Sequence, residues 1–153
     1  MARAALIAAV ATILTTGAGA AMQQHVFAGR WVANIERSRL DPKFAFKSAH
    51  LEISVTDDRV TLSSTMVGPD GAEQKGTETL VADGRETKGT LTPGVMHVAN
   101  WVGLYVLAFT ASRDNRNFAL MTYEVSPDGK TLTARSSGML EQVVVFEKVF
   151  EKK

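Results

Sequence analysis

The feature that most constrains this chain is an alternation of period two. Leu51, Ile53 and Val55 interleave with His50, Glu52, Ser54 and Thr56, which gives one apolar and one polar face. Val60-Thr61-Leu62-Ser63 resumes the pattern after Asp57-Asp58. Turn signals punctuate the rest. Gly68-Pro69-Asp70-Gly71 and Pro127-Asp128-Gly129 combine residues that preset or tolerate turn dihedrals. Arg113-Asp114-Asn115-Arg116 reads as a further turn, and Asp83-Gly84 as a hairpin signal. No stretch carries a capped 3.6-residue period. Strands broken by regularly spaced turns predict an all-β sandwich or barrel. The longest irregular piece, Arg37 to Ser48, is expected to hold at most one helical turn, started by Ser38 or Asp41 with Pro42 at an allowed first position.

Residues 1–20 read as a secretory signal peptide. Arg3 is their only charge, Ala4 to Leu14 is apolar, and Ala18-Gly19-Ala20 is a small-x-small cleavage pattern. The run is too short to span a bilayer, which takes about 20 apolar residues. The expectation is a cleaved leader, an exported or periplasmic bacterial protein, and a single domain over residues 21–153. The chain has no cysteine. That excludes disulfides, a lipid on an N-terminal cysteine, thiolate catalysis and cysteine-held zinc. Losing Arg3 from the 17 Lys and Arg leaves 16 to balance the 16 Asp and Glu. Such balance gives no electrostatic footprint for nucleic acid or an anionic membrane.

Val95 to Ala111 is the most apolar region after the leader. A membrane span is one reading. His97, Asn100 and Gly103 within the run, with its β-branched and aromatic residues, favour two buried neighbouring strands turned at Gly103.

Phe27-x-Gly29-x-Trp31 resembles the opening of the calycins, the lipocalin and fatty-acid-binding-protein group. The chain is similar more closely to small exported bacterial lipocalin-like proteins of unassigned function. The shared elements are Gly29, Trp31, Asn34 and Ser38 at the start, Asp128-Gly129-Lys130-Thr131-Leu132-Thr133 late, and Val145-Phe146-Glu147-Lys148 near the end. The resemblance implies an antiparallel up-and-down β-barrel of about 8–10 strands. It implies structural roles for Gly29 and Trp31 at the closed end, with an arginine from a late strand across the indole. Arg135 is the candidate for that arginine. Val102-Gly103-Leu104 stands where relatives have a polar Asp-Gly turn.

No catalytic constellation is visible. His25, His50 and His97 lack ligand spacing, so no metal site is expected. No Gly-x-Ser-x-Gly elbow and no phosphate loop occur. Neither an enzyme nor a cofactor is expected. The best lead is an apolar set, Met66, Trp101, Tyr105, Phe109, Met121 and Tyr123, in strands that would line a barrel. Barrels of this size either fill with side chains or hold one small ligand. Two functions therefore stand. One is a carrier or sensor of a small apolar ligand. The other is a ligand-free interaction or structural module, an inhibitor or envelope scaffold, acting on an unknown protein partner through its loops or the Val95–Phe109 region.

Overall fold

The structure, a computed structural model, describes residues 26–42, 45–138 and 144–153. The expected leader over residues 1–20, and His25, lie outside them. The strands run in chain order: β1 (Gly29–Leu40), β2 (Ser48–Thr56), β3 (Arg59–Val67), β4 (Glu73–Val81), β5 (Asp83–Lys88), β6 (Met96–Val102), β7 (Val106–Arg113), β8 (Arg116–Val125), β9 (Thr131–Gly138) and β10 (Val144–Lys152). They form one antiparallel sheet in the order β4-β3-β2-β1-β10-β9-β8-β7-β6-β5. The pairing of β1 with β10 carries the sheet round, and β4 and β5 remain as its two edges. The fold is an all-β up-and-down barrel, nearly closed, with its seam between β4 and β5. No helix among the described residues is long and apolar enough to cross a membrane.

The turns follow their local chemistry. Thr56 pairs with Arg59 across Asp57-Asp58, with Asp57 at φ 54°. Asp114 and Asn115 both take positive φ between the paired Arg113 and Arg116, a conformation that Asp and Asn tolerate better than most residues. The apolar run over Val95–Ala111 is the hairpin β6–β7. Val102 pairs with Val106, and Gly103 at φ 70° makes the turn that a side chain there would strain. Asp83-Gly84 is not a hairpin turn, because β4 and β5 do not pair. Asp83 pairs with Asn100 of β6, a register shift follows before Glu86, and the Asp83 carboxylate accepts the Arg85 amide at 2.9 Å. The irregular segment is shorter than the sequence suggests, since β1 runs on to Leu40. Beyond it the Ala45 amide donates to the Pro42 carbonyl at 3.3 Å.

That extension has a side-chain cause. The β1–β10 register shifts between Asn34 and Arg39. Asn34 Oδ1 accepts the Arg37 amide at 3.1 Å, and the Ser38 hydroxyl donates to the Asn34 carbonyl at 2.7 Å. The Val149 amide then donates to Ser38 Oγ at 3.0 Å, so a hydroxyl satisfies a ladder donor that the bulge would otherwise strand. Asn34 and Ser38, two elements of the sequence resemblance, thus have a structural role.

One end of the barrel is plugged. Phe27, Trp31, Val60, Leu80, Leu107, Val125 and Leu132 are fully buried there. Each such side chain stabilises the fold by about 1.5–3 kcal/mol. The Trp31 indole donates to the Phe27 carbonyl at 3.0 Å, which ties the short segment before β1 across the barrel floor. The expected cation lies over its ring, but it is Lys152 and not Arg135. Lys152 Nζ stands 5.2 Å from the ring centroid. Arg135 follows inward-facing Leu132 and Ala134 at the opposite parity, so it points away from the interior. There it donates to Glu147 and Glu124, both at 2.8 Å.

Candidate functional site

Above the plug the barrel is hollow. The alternation that fills the floor continues upward with smaller or polar residues: Ala111 and Ala119 on β7 and β8, Ser136 on β9, Gly76 and Glu78 on β4. Their shortness leaves a cavity of about 550 Å³. Its apolar wall includes Leu51, Leu62, Val95, Phe109 and Met121, and its mouth is rimmed by Leu91, Arg113 and Phe118. A side space of about 210 Å³ adjoins it, sharing Leu51, Ser64, Met121 and Tyr123 and adding Met66, Phe150 and Lys148.

Three members of the expected lining set meet in the main cavity. Phe109, Met121 and Tyr123 stand on adjacent strands, with Phe109 paired to Met121 and the rings of Phe109 and Tyr123 stacked at 6.1 Å. Met66 lines the side space. Trp101 and Tyr105 do not join them. Trp101 faces inward but belongs to the plug, its ring 5.2 Å from Phe27 in edge contact. Tyr105 sits in the β6–β7 turn, where its carbonyl accepts the Val125 amide at 2.9 Å. Both misplacements concern height along the barrel axis, which register sets and alternation does not reveal.

The polar part of the site was not foreseen. Glu78 precedes inward-facing Leu80 by two residues and so shares its face. Its carboxylate is nearly buried and accepts the Thr90 amide at 2.7 Å, the Thr90 hydroxyl at 2.9 Å and the Leu91 amide at 3.2 Å. Burial alone would raise this carboxyl, but those donors and neighbouring His97 hold it below its ordinary value, so it is ionised at neutral pH. His97 is buried, with Nε2 3.3 Å from Glu78 Oε2 and its ring in edge contact with Phe109 at 5.3 Å. That approach is off line, and neither ring nitrogen makes a hydrogen bond. Burial, with Glu78 nearby, pushes the Tyr123 phenol up to about 12, so it stays a neutral hydroxyl. Lys148 reaches into the side space with Nζ 5.3 Å from the Phe46 ring centroid, and burial pushes its ammonium down. The signal that would have found Glu78 is parity: a charged residue in phase with half-buried Gly76 and buried Leu80. Among the described residues no group of three or more His, Asp or Glu could hold a metal ion. The arrangement can enclose an apolar body and meet it with a few hydroxyls and two half-buried charges, Glu78 in the main cavity and Lys148 in the side space.

No protein-family model matches the chain, and no curated protein matches it. Solved structures do resemble it. A variant of the fluorescent protein UnaG has a TM-score of 0.61 at 18% identity, covering 82% of this chain and 95% of that one. The zebrafish ileal bile acid-binding protein complexed with cholic acid has a TM-score of 0.52 at 17% identity, covering 84% of this chain and 99% of that one. At such identities the likeness concerns the fold, a nearly closed antiparallel β-barrel.

Proposed function

We propose that this chain binds a small, largely apolar molecule inside the barrel and serves as a carrier or sensor outside the cytoplasm. The observation that carries the reading is the cavity of about 550 Å³. Small-molecule sites commonly measure about 300–1,000 Å³ and pair an apolar wall with a few placed polar groups. Leu51, Leu62, Phe109 and Met121 supply the wall, and Ser64, Tyr123 and Ser136 supply hydroxyls. That lining suits a hydrophobic body bearing a carbonyl or hydroxyl. The zebrafish neighbour, described as a bile acid-binding protein, agrees in kind. The extracytoplasmic placement, and a bacterial source, rest on residues 1–20 and the sequence resemblance. The ligand-free alternative needs a filled barrel, and the cavity weighs against it.

Native mass spectrometry of protein purified from its own host tests the reading directly, as retained mass. In parallel, apolar fluorescent probes are titrated against the wild type and Met121→Trp. The larger side chain grows into the cavity, so saturable binding should be lost while the unfolding midpoint stays close to that of the wild type. No retained molecule, together with no probe response across a broad panel, would overturn the carrier reading. Intact mass of exported protein checks the leader: the chain should begin at or near Ala21.

A further inference from the structure

The wall of the cavity has a seam, and one carboxylate accepts most of the hydrogen bonds that fasten the segment lying over it. β4 and β5 are the sheet edges, so no ladder joins them. The segment Gly89–Val95, which links β5 to β6, lies over the opening, and its Leu91, Thr92 and Val95 line the cavity. Its own base is closed by the Gly89 amide donating to the Val95 carbonyl at 2.8 Å. Between that base and β4 the attachment converges on Glu78. The Thr90 and Leu91 amides donate to its two oxygens. The Thr90 hydroxyl accepts the Thr79 amide at 2.9 Å and points its proton toward Glu78 or the Thr77 carbonyl. Beyond this latch Leu91 lays its side chain over Gly76. A Cβ on Gly76 would stand 2.5 Å from Leu91 Cδ1, so any larger residue there would push the Leu91 side chain off its present seat. Leu91 is still 53% exposed, which makes it a shallow plug rather than a core residue.

We propose that Gly89–Val95 is a movable strap, that Glu78 is the positioning residue that latches it, and that a ligand enters and leaves through the seam it covers. The inference rests on the cavity being a binding site, but the latch itself can be tested without any ligand. Hydrogen bonds to an ionised acceptor are stronger than neutral ones, so one carboxylate can hold a strap with little packing of its own. The same economy makes the strap releasable while the plugged floor keeps the barrel intact.

Amide hydrogen exchange reads the latch. In Glu78→Gln the Thr90 and Leu91 amides should exchange about tenfold faster, the factor for roughly 1.4 kcal/mol of weakened closure. The Trp-monitored unfolding midpoint should stay nearly constant. Unchanged exchange at those two amides would overturn the latch. The route is read with Gly76→Cys/Leu91→Cys, a clean design in a chain without cysteine. Leu91 Cγ lies 3.6 Å from where a Gly76 Cβ would stand, close to disulfide reach. Stopped-flow uptake of anilinonaphthalene sulfonate should slow about tenfold or more when this variant is oxidised and recover with reductant. Equal uptake in both states would overturn the seam as the route. Failure of the probe to bind wild-type protein in any state counts against the cavity as a site, and with it against the route, while the exchange result still decides the latch.

Discussion

Replacing Trp31 with alanine should be among the most damaging single changes in this barrel. The indole is fully buried, and truncating a large buried aromatic costs about 3–5 kcal/mol. Two local terms put this site in the upper part of that range. The Phe27 carbonyl would lose its donor at 3.0 Å, and Lys152 would lose the ring 5.2 Å beneath its ammonium. Domains of this size have about 5–15 kcal/mol in total, so the variant should fold but sit near its limit. Trp101 remains as the reporter, and it lies in the same plug. In urea, a loss of about 4 kcal/mol at a slope of about 2 kcal/mol/M lowers the midpoint by about 2 M. Trp31→Phe, which keeps most of the volume but not the N–H, should lose about 1–2 kcal/mol. A midpoint for Trp31→Ala within about 0.5 M of the wild type would refute the view that the floor depends on this residue.

Three further outcomes are expected. Lys152→Met should cost about 1–2 kcal/mol through the lost cation–π contact and the lost donation to the Val26 carbonyl at 3.3 Å, and Arg135→Met no more than about 1 kcal/mol because its ion pairs are partly exposed and screened, but only Lys152→Met should shift Trp31 emission. Glu78 has a folded pKa below its ordinary 4.5, so its contribution is fully present above that value and is lost as pH falls through the folded value. The groups facing this carboxyl are Thr90, Leu91, His97 and Tyr123, and Thr90 amide exchange divided by its intrinsic, pH-dependent rate should rise below about pH 4.5 in wild type but stay flat in Glu78→Gln. Val102→Ser with Leu104→Ser should change stability by less than about 0.5 kcal/mol for each residue, read from the thermal midpoint, because both side chains are exposed at the β6–β7 tip.

Much of the fold was legible because a half-buried strand writes its two faces into the sequence. Leu51, Ile53 and Leu62 are buried, and Glu52 and Ser54 between them are exposed. The turns at Asp57-Asp58, Asp114-Asn115 and Pro127-Asp128-Gly129 were also readable, since their residues favour the dihedrals observed. Asp83-Gly84 misled for a physical reason. A hairpin signal describes four residues, but whether the flanking strands pair depends on the whole barrel. Here the chain leaves β4 through buried Ala82, and β5 finds its partner in β6.

The site was legible in one coordinate and hidden in the other. Parity decides whether a side chain points inward, and the sequence contains it. It separates Arg135 from Ala134, and it puts Glu78 in phase with Leu80. Height along the barrel decides whether an inward side chain fills the plug or faces the cavity, and only inter-strand register supplies it. Trp101 pairs with Leu107 near the floor, and Phe109, two residues further along β7, pairs with Met121 at the level of the cavity. The same register explains the cation over Trp31. Trp31 stands opposite both Leu51 of β2 and Lys152 of β10, so its nearest inward cation comes from the closing strand pair. The β1–β10 pairing therefore does two things at once: it joins the two halves of the sheet, and it delivers the charge that caps the floor.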